Sequence, residues 1–500
     1  MAFLEPLSSL SLLLCVPLLV GSLCVVFNYL VYSRRVAEWR KSKIPFLEPS
    51  FLIGHKYFWS VGSNSAVVPI DRIYRENKDK DLVAFFIATM PVVLVRSPAL
   101  IKQIFAKQFD KVFETGLAAS HHDKIAQHTL TQSTDKDVWK SDRNKLSPMF
   151  ATARFSGERF AKIRTQITRM WTHVEEAHLQ RKPINMRQVA LNFSFDSMFN
   201  SFIGLGSNSF EKKEELFTIS ESLSEPGWCR LLSFFAQTRL KEIPALEPFK
   251  FIPQTFIDSL KSVLQKQMYQ RRLDGNNEND LIDLLIGLKE QDQDKKVNSG
   301  MGSIVTLASS TIHILSLHPE HQERISQEVE EVMKKHNTTE FTYEVVRDLQ
   351  YLDQCLRETA RLYPNTSALM RVCTEDFTLA NYTFKKGERF IVSPYSVHRD
   401  PACFENPNEF DPDRFSPRNR DNRTVDAFLG FGKGPRKCPG NNVGFLMVSA
   451  LVGSLVHKYK VSPHSHMKQM DAYDFHPRSV FTVHKNDVLV NVVPREVRAY

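Results

Sequence analysis

The sequence predicts a mainly α-helical protein with small β-sheets, folded as one large domain behind an N-terminal membrane-anchor helix. Three observations support this class: an uncharged apolar run at the N-terminus, helical spacing of apolar residues through the centre, and strand-like runs near both ends. The 500 residues are 42% hydrophobic and 24% charged, which suits a large core and excludes a disordered or fibrous chain. We find no repeat or long Gly/Ser linker that would divide the body.

Residues 7–32 predict a transmembrane signal-anchor. They carry no charge and exceed the roughly 20 residues that cross a bilayer. The basic residues that follow this run are Arg34, Arg35, Arg40, Lys41 and Lys43. By the positive-inside rule this cluster stays in the cytosol. Residues 33–50 predict a basic, proline-containing hinge, and residues 51–500 the main folded domain. A buried core helix is the alternative for the apolar run, although its length disfavours that interpretation.

The body begins with sheet-forming sequence and continues with helices. Residues 82–96 predict two strands with a turn at Met90-Pro91, and Pro98 suits the start of a helix. The 3.6-residue spacing farther along predicts helices over 155–177, 187–203, 256–272, 280–289, 300–317 and 319–335. Strand-like runs return over 366–398, with a turn at Lys386-Gly387.

The seven cysteines and the charge balance limit the function classes. The cysteines are odd in number and form no C-x-x-C pair, which excludes a dense disulfide scaffold or zinc ribbon and indicates a reducing compartment. The net charge of +9 is small for this length, so it suits an acidic protein or anionic lipid as well as nucleic acid.

The strongest chemical signal is the segment 431–440, which reads FGKGPRKCPG. Its glycines permit tight backbone conformations, and Pro435 stiffens the loop. An apolar segment with helical spacing follows at 443–455, so Cys438 would lie close to a helix N-terminus. Backbone N–H groups and the helix dipole stabilise a thiolate there. The alternative is a structural Gly/Pro loop with an incidental thiol.

This segment resembles the haem-ligand loop of the cytochrome P-450 monooxygenases, F-G-x-G-x-R-x-C-x-G, at every fixed position. Three further segments resemble family motifs in the same order along the chain. They are Trp139–Arg143, similar to the helix that reaches a haem propionate; Glu358–Arg361, similar to E-x-x-R; and Phe410–Phe415, similar to its ion-network partner. The resemblance spans nearly the whole chain. It is greatest to the microsomal insect and vertebrate branch that oxidises xenobiotics and lipophilic hormones.

The resemblance implies a cytochrome P-450 fold, haem b (iron protoporphyrin IX) and a role for each matching residue. Cys438 would be the axial thiolate of the iron, which favours O–O cleavage, and Gly440 would tune its sulfur. Phe431 would pack near the thiolate. The expected haem-propionate residues are Trp139, Arg143, Arg371 and Arg436. The expected buried structural ion network is Glu358, Arg361 and Arg414. Alternatively, Arg371 is a surface charge on a strand and Trp139 an ordinary core residue.

The central helix departs from the family pattern. Family members carry [AG]-G-x-[DE]-T-[TS], whose acid–alcohol pair delivers protons, whereas residues 299–304 read SGMGSI. Gly302 replaces the acid, and Ser303 would serve as the proton relay. In addition, the polar run 289–298 stands where the family has an apolar half-helix, so one side of the pocket would lose its cover.

Three functions stay open on this pattern. The first is a monooxygenase that inserts one oxygen atom of O2 into a xenobiotic, insecticide or hormone-like lipid, and the sequence favours it. The second is a haem-thiolate isomerase or dehydratase that acts on a peroxide without activating O2. The third is a haem-binding protein with impaired turnover, or a chain whose central exon is missing or misread.

The chain shows no G-x-G-x-x-G between a strand and a helix, so electrons would come from another protein. The resemblance implies NADPH-cytochrome P-450 reductase, with cytochrome b5 as a further candidate, an endoplasmic reticulum membrane location and no nucleic acid. The basic residues expected to steer an acidic reductase are Lys140, Lys145, Lys433, Arg436 and Lys437. The aromatic and basic segment 226–262 would border the entrance for lipophilic substrates, although ordinary core packing explains its aromatics as well.

Overall fold

The computed structural model describes residues 26, 29–50, 54–116, 129–224, 227–228, 253–278, 280–290, 301–419, 422–464, 467–479 and 481–496. Most of the predicted anchor and of the substrate-entrance segment therefore lies outside the described residues, as does most of the polar run before the central helix. Within these ranges, none of the helices combines the length and the apolar composition that a bilayer span requires.

Helices form most of the domain, as the sequence predicts. In chain order they are α1 Val67–Glu76, α2 Pro98–Lys102, α3 Lys136–Leu146, α4 Glu158–Leu179, α5 Met186–Ile203, α6 Glu215–Ser224, α7 Gln254–Asp274, α8 Leu281–Glu290, α9 Met301–Leu317, α10 Pro319–Lys335, α11 Tyr343–Asp348, α12 Gln350–Leu362, α13 Pro394–Val397, α14 Asn422–Ala427 and α15 Asn441–Lys458. All six helices predicted from spacing are confirmed, with ends close to those expected.

The strands form three small sheets. They are β1 Leu82–Ile87, β2 Met90–Val95, β3 Ile184–Asn185, β4 Leu369–Val372, β5 Phe377–Leu379, β6 Tyr382–Phe384, β7 Arg389–Val392, β8 Tyr459–Pro463 and β9 Leu489–Pro494. The four-stranded sheet has the order β1-β2-β7-β4, in which β2 and β7 are parallel and the other pairs antiparallel. The three-stranded sheet has the order β3-β9-β8, and β5 and β6 form a hairpin.

The turn predicted at Met90-Pro91 is wrong. The β1–β2 hairpin turns instead at the two residues between the strands, where Ala88 has a φ of 49°. Pro91 lies inside β2 and pairs with Phe86. A proline is tolerated there because β7 pairs with β2 only at Val93 and Leu94, so no hydrogen bond to β7 is lost at Pro91. The turn at Lys386-Gly387 is confirmed, and Gly387 has a φ of 92°.

Two large hydrophobic clusters form most of the core in the described part of the chain. The larger lies among α4, α5, α9, α12 and α15, and the smaller surrounds the four-stranded sheet. Helices α5 and α15 are buried on nearly all sides. The sequence of α15 is accordingly apolar all round, whereas α5 also buries polar side chains, among them Asn192, Asp196 and Asn200. Helix α9 packs against α5, α12 and α15, so the helix that follows Cys438 and the central helix share one core.

Candidate functional site

Cys438 lies in a tight loop immediately before α15. The Cys438 N–H donates a hydrogen bond to the Phe431 carbonyl (2.9 Å), and the Lys437 N–H donates to the Gly434 carbonyl (3.0 Å). Gly434 has a φ of 77°, and a Cβ there would lie 2.0 Å from the carbonyl oxygen of Phe105. Because the obstacle is backbone, any side chain at Gly434 would displace the loop that carries the thiol.

The surroundings of the Cys438 thiol shift its pKa in opposite directions. Burial of the sulfur raises its pKa, whereas the hydrogen bond from the Gly440 N–H and the charge of Arg143 lower it. Although protein atoms surround the sulfur, the residue keeps accessible surface, unlike the other cysteines of the described part, Cys355, Cys373 and Cys403. Coordination to a metal ion deprotonates a thiol outright, so a bound iron would overcome the effect of burial.

Phe431 packs against the helix that Cys438 precedes. Its ring lies 4.9 Å from that of Phe445 on α15, measured between centroids. Gly440 is the N-cap residue of α15, and a Cβ there would meet the Phe150 ring at 3.4 Å. The loop is thus held at both ends by aromatic packing.

Three arginines predicted to hold propionates, Arg143, Arg371 and Arg436, have lowered pKa values. Burial is the main cause, and it lowers the pKa to about 10 at Arg371 and about 9 at Arg436. The charges of Arg371 and Arg143 lower the pKa of Arg436 further. Arg371 is buried on β4, so the alternative of a surface charge is wrong.

Two of these arginines, Arg371 and Arg436, keep unused hydrogen-bond donors. Arg436 donates one bond, to the Ser133 carbonyl (2.7 Å), and Arg371 donates one to the Met370 carbonyl (2.7 Å). Within the described part of the chain, Nε and Nη1 of Arg436 and Nε of Arg371 are buried without a partner. Buried guanidinium groups are stable only when paired, so this cluster fits an anionic group such as the two propionates of a haem.

Trp139 supports this cluster by packing. Its ring lies 5.5 Å from Phe113, and the Arg436 guanidinium lies 5.1 Å from the indole centroid. The indole N–H donates to the Leu130 carbonyl (3.2 Å). A direct propionate contact of this N–H stays a prediction, because it would have to exchange that carbonyl for the carboxylate.

The structure brings Glu358, Arg361 and Arg414 together in the interior. The Glu358 and Arg361 side chains are 0% exposed, and two N–H groups of Arg361 donate to the two Glu358 oxygens at 2.7 and 2.8 Å. Arg414 approaches the same carboxylate at 3.5 Å. The carbonyls that accept the other Arg361 hydrogen bonds belong to His398, Pro407 and Glu409. A buried ion pair of this kind holds a fold because every charge is matched.

His398 is a residue of this network that the sequence analysis missed. Its fully buried ring donates from Nδ1 to the Arg361 carbonyl (2.8 Å) and accepts at Nε2 from the Leu429 N–H (2.8 Å). Burial lowers its pKa to about 3, so the ring is neutral and its tautomer is set by the two partners. It joins α12 to the residue that starts the Cys438 loop. A lone histidine after a strand carries no sequence signal for such a contact.

Ser303 lies in the first turn of α9, and both Ser303 and Gly302 are exposed. The Ser303 carbonyl accepts a hydrogen bond from the Asn365 side chain (3.2 Å). The Thr306 hydroxyl donates to the Gly302 carbonyl (3.0 Å), and the Ser310 hydroxyl bonds to His484 (2.7 Å). Both hydroxyls thus have partners within the fold, and the relay role of Ser303 stays a prediction.

The predicted basic face needs two corrections. The Arg436 guanidinium lies over the Phe113 and Trp139 rings with buried nitrogens, so it is not presented to a partner. The Lys433 ammonium lies 3.2 Å from the Asp426 carboxylate and its side chain is only 18% exposed, so it braces the loop rather than steering a partner. Lys437 is exposed. Lys140 is half-exposed and 3.8 Å from Asp110.

The fold and this site define a haem-thiolate protein, and comparison with known sequences gives the same answer. The cytochrome P450 family model matches residues 57–490, and the chain belongs to this family. It is 25% identical to cytochrome P450 9b2 of Drosophila melanogaster, over 92% of this chain and 97% of that protein. It is 24% identical to cytochrome P450 6B7 of Helicoverpa armigera (96% and 98%) and 27% identical to cytochrome P450 6l1 of Blattella germanica (86% and 88%). The protein is accordingly a monooxygenase whose cofactor is haem with a cysteine thiolate ligand.

Proposed function

We propose that the protein inserts one oxygen atom of O2 into a lipophilic small molecule, such as a xenobiotic, an insecticide or a hormone-like lipid, with electrons from NADPH. The observation that carries the proposal is the Cys438 loop together with Arg371 and Arg436, whose guanidinium groups keep buried donors without partners, in a chain of the cytochrome P450 family. When bound, the haem supplies the activation of O2. The chain supplies the ligand, the charge balance and the proton path.

On the Cys438 side, each residue has a distinct task. Cys438 would hold the iron, and the Gly440 N–H would stabilise its thiolate by a hydrogen bond. Arg143, Arg371 and Arg436 would pair with the propionates, which would satisfy the donors of Arg371 and Arg436 that are otherwise buried without partners.

On the α9 side, we propose that Ser303 and water move the protons. No acid stands at Gly302, so the carboxylate that would hold and deliver a proton in other members is missing at this position. Ser303 is exposed and its carbonyl is engaged by Asn365, which keeps the first turn of α9 in place.

Electrons would come from NADPH-cytochrome P-450 reductase, with cytochrome b5 as a further donor. We place the protein at the endoplasmic reticulum membrane, anchored through residues 7–32, with the catalytic domain in the cytosol. The exposed ammonium of Lys437, next to Cys438 in the chain, and that of Lys140 support docking of an acidic partner on this side.

The missing acid favours one second candidate, an isomerase or dehydratase that acts on a peroxide. Such a reaction needs no delivery of protons to O2, so the absence of an acid at position 302 would not slow it. The two candidates differ in whether turnover requires NADPH, reductase and O2.

Restoring the acid separates these candidates. A Cβ at Gly302 would meet no atom within 4 Å, so Gly302→Glu can be accommodated, and Gly302→Ala is a matched control without the carboxyl group. Each variant is expressed with reductase, and product formed per NADPH oxidised is measured on a panel of lipophilic compounds. We expect Gly302→Glu to raise this coupling several-fold and Gly302→Ala to leave it unchanged.

The same preparations include Cys438→Ser, which should lose both the thiolate-type carbon-monoxide spectrum and turnover. A wild type that binds haem yet converts only peroxides, without NADPH, would establish the second candidate and contradict the first. A wild type that takes up no haem would contradict both.

A further inference from the structure

The turn between α9 and α10 places His318, Glu320 and His321 side by side, and none of the three is among the residues that would hold haem. One ligand atom from each side chain lies within 4.8 Å of the other two. His318 Nδ1 is 3.0 Å and His321 Nε2 is 3.9 Å from the same Glu320 oxygen. Ligands about 2.0–2.1 Å from a tetrahedral zinc ion are about 3.3 Å apart, so these spacings bracket the required ones.

Neighbouring side chains hold both imidazoles in position. His321 Nδ1 forms a hydrogen bond with the Tyr351 hydroxyl (2.6 Å), which leaves Nε2 on the side of Glu320. Metal-binding histidines usually use their second nitrogen in this way. The Phe410 ring lies 5.7 Å from His318 and 5.2 Å from His321 between centroids. The rings are therefore arranged before any ion binds.

The charges near the cluster nearly balance. The N-terminus of α10 and the Arg324 guanidinium oppose a cation, whereas Glu320 favours one. Arg324 donates two hydrogen bonds to Asp413 at 3.1 and 3.2 Å, which offsets its charge. Two nitrogen ligands and one carboxylate suit zinc, because calcium and magnesium prefer oxygen ligands.

We propose that His318, Glu320 and His321 bind one zinc ion, with water in the fourth position. The accessible surface supports the open position, since the Glu320 side chain is 64% exposed and that of His318 31%. The ion would fasten the start of α10 against Phe410, in the segment that also carries Arg414 of the buried ion network. Zinc binding should therefore raise the thermal stability of the domain.

The test uses the full-length protein loaded with haem, so that Cys438 is engaged. Zinc is titrated in competition with a chromophoric chelator, and we expect one equivalent to bind. Glu320→Gln, at an exposed position, and the double variant His318→Ala/His321→Ala should each weaken binding at least tenfold. His336→Ala is the matched control, because His336, the C-cap residue of the same helix, also contacts a carboxylate, Asp348 (2.9 Å). Its affinity should be unchanged.

A second measurement locates the ion. Zinc should protect His318 and His321, but not His336, from diethyl pyrocarbonate, as read by mass spectrometry. The proposal is overturned if no stoichiometric zinc binds, if Glu320→Gln retains the wild-type affinity, or if protection falls on other histidines. Glu320→Gln keeps the test decisive should the double variant lose its haem, since loss of a solvent-exposed carboxylate leaves the core intact.

Discussion

The two sides of the candidate site differ in how firmly the chain holds them. On the Cys438 side, Arg361 on α12 donates hydrogen bonds to the carbonyls of Pro407 and Glu409, in the segment before Arg414. His398 joins the same helix to the start of the thiol loop. On the α9 side, Ser303 is exposed, and the Asn365 side chain donates a hydrogen bond to its carbonyl. The cofactor would thus be held by the core itself, whereas proton delivery would rest on accessible groups. Substitutions on the first side should unfold the site, and those on the second should change only its turnover.

The largest effect should come from breaking the buried ion network. Glu358→Gln removes the charge that matches Arg361 while it conserves the side-chain volume. Leaving a buried charge unpaired costs about 3–5 kcal/mol, so we expect that loss in the free energy of unfolding, together with loss of haem. Denaturant titration followed by haem absorbance measures it.

Glu48→Gln is the matched control. Glu48 pairs with Arg40 through two hydrogen bonds of 2.7 and 2.9 Å, but both side chains are exposed. Exposed pairs contribute about 0–1 kcal/mol, so this change should be small. If Glu358→Gln and Glu48→Gln lowered the free energy of unfolding equally, the buried pair would contribute no more than the exposed one, contrary to this prediction.

A smaller effect is expected at His398. His398→Asn can keep the donor toward the Arg361 carbonyl but leaves the Leu429 N–H without its acceptor, and His398→Gln does the reverse. An unsatisfied buried group costs about 1–3 kcal/mol, so each variant should be less stable than wild type by that amount at neutral pH.

The loss should also depend on pH. The folded-state pKa of His398 is about 3, below its ordinary 6.5, so the contribution of the neutral ring is complete above pH 6.5 and falls as the pH drops toward 3. The stability difference between wild type and His398→Asn should accordingly shrink between pH 7.5 and pH 5. A difference that stays constant over this range would show that the ring does not stay neutral in the fold.

The smallest effect should come from the exposed charges. Lys437→Glu with Lys140→Glu should raise the reductase concentration needed for half-maximal turnover several-fold at low salt, without changing haem content. High salt should remove the difference, because it screens exposed charges. Lys460→Glu, an exposed lysine on β8, is the control. Equal reductase dependence in all three proteins would refute docking through these lysines.

Much of the site was readable from the sequence, because its signals are local. The i, i+3 spacing of Glu358 and Arg361 and the glycines around Cys438 each act within one helix or one loop. The contacts that were missed join residues 7 positions apart, for Lys433 and Asp426, and 31 positions apart, for His398 and Leu429. Neither the pairing of Lys433 with Asp426 nor the bridge from His398 to Leu429 follows from spacing along the chain.

By itself, the sequence determined the helices, whose apolar spacing reports burial directly, and the cysteine loop, whose glycines permit only certain turns. Only the tertiary structure decided which charged side chains pair with one another inside the fold and which keep hydrogen-bond donors for a ligand. Arg371 and Arg436 are buried with unused donors, whereas Lys433 is already matched by Asp426. The reason is that burial and pairing depend on which helices, strands and loops come into contact. Those contacts cannot be deduced from the type of a residue and its neighbours in the chain.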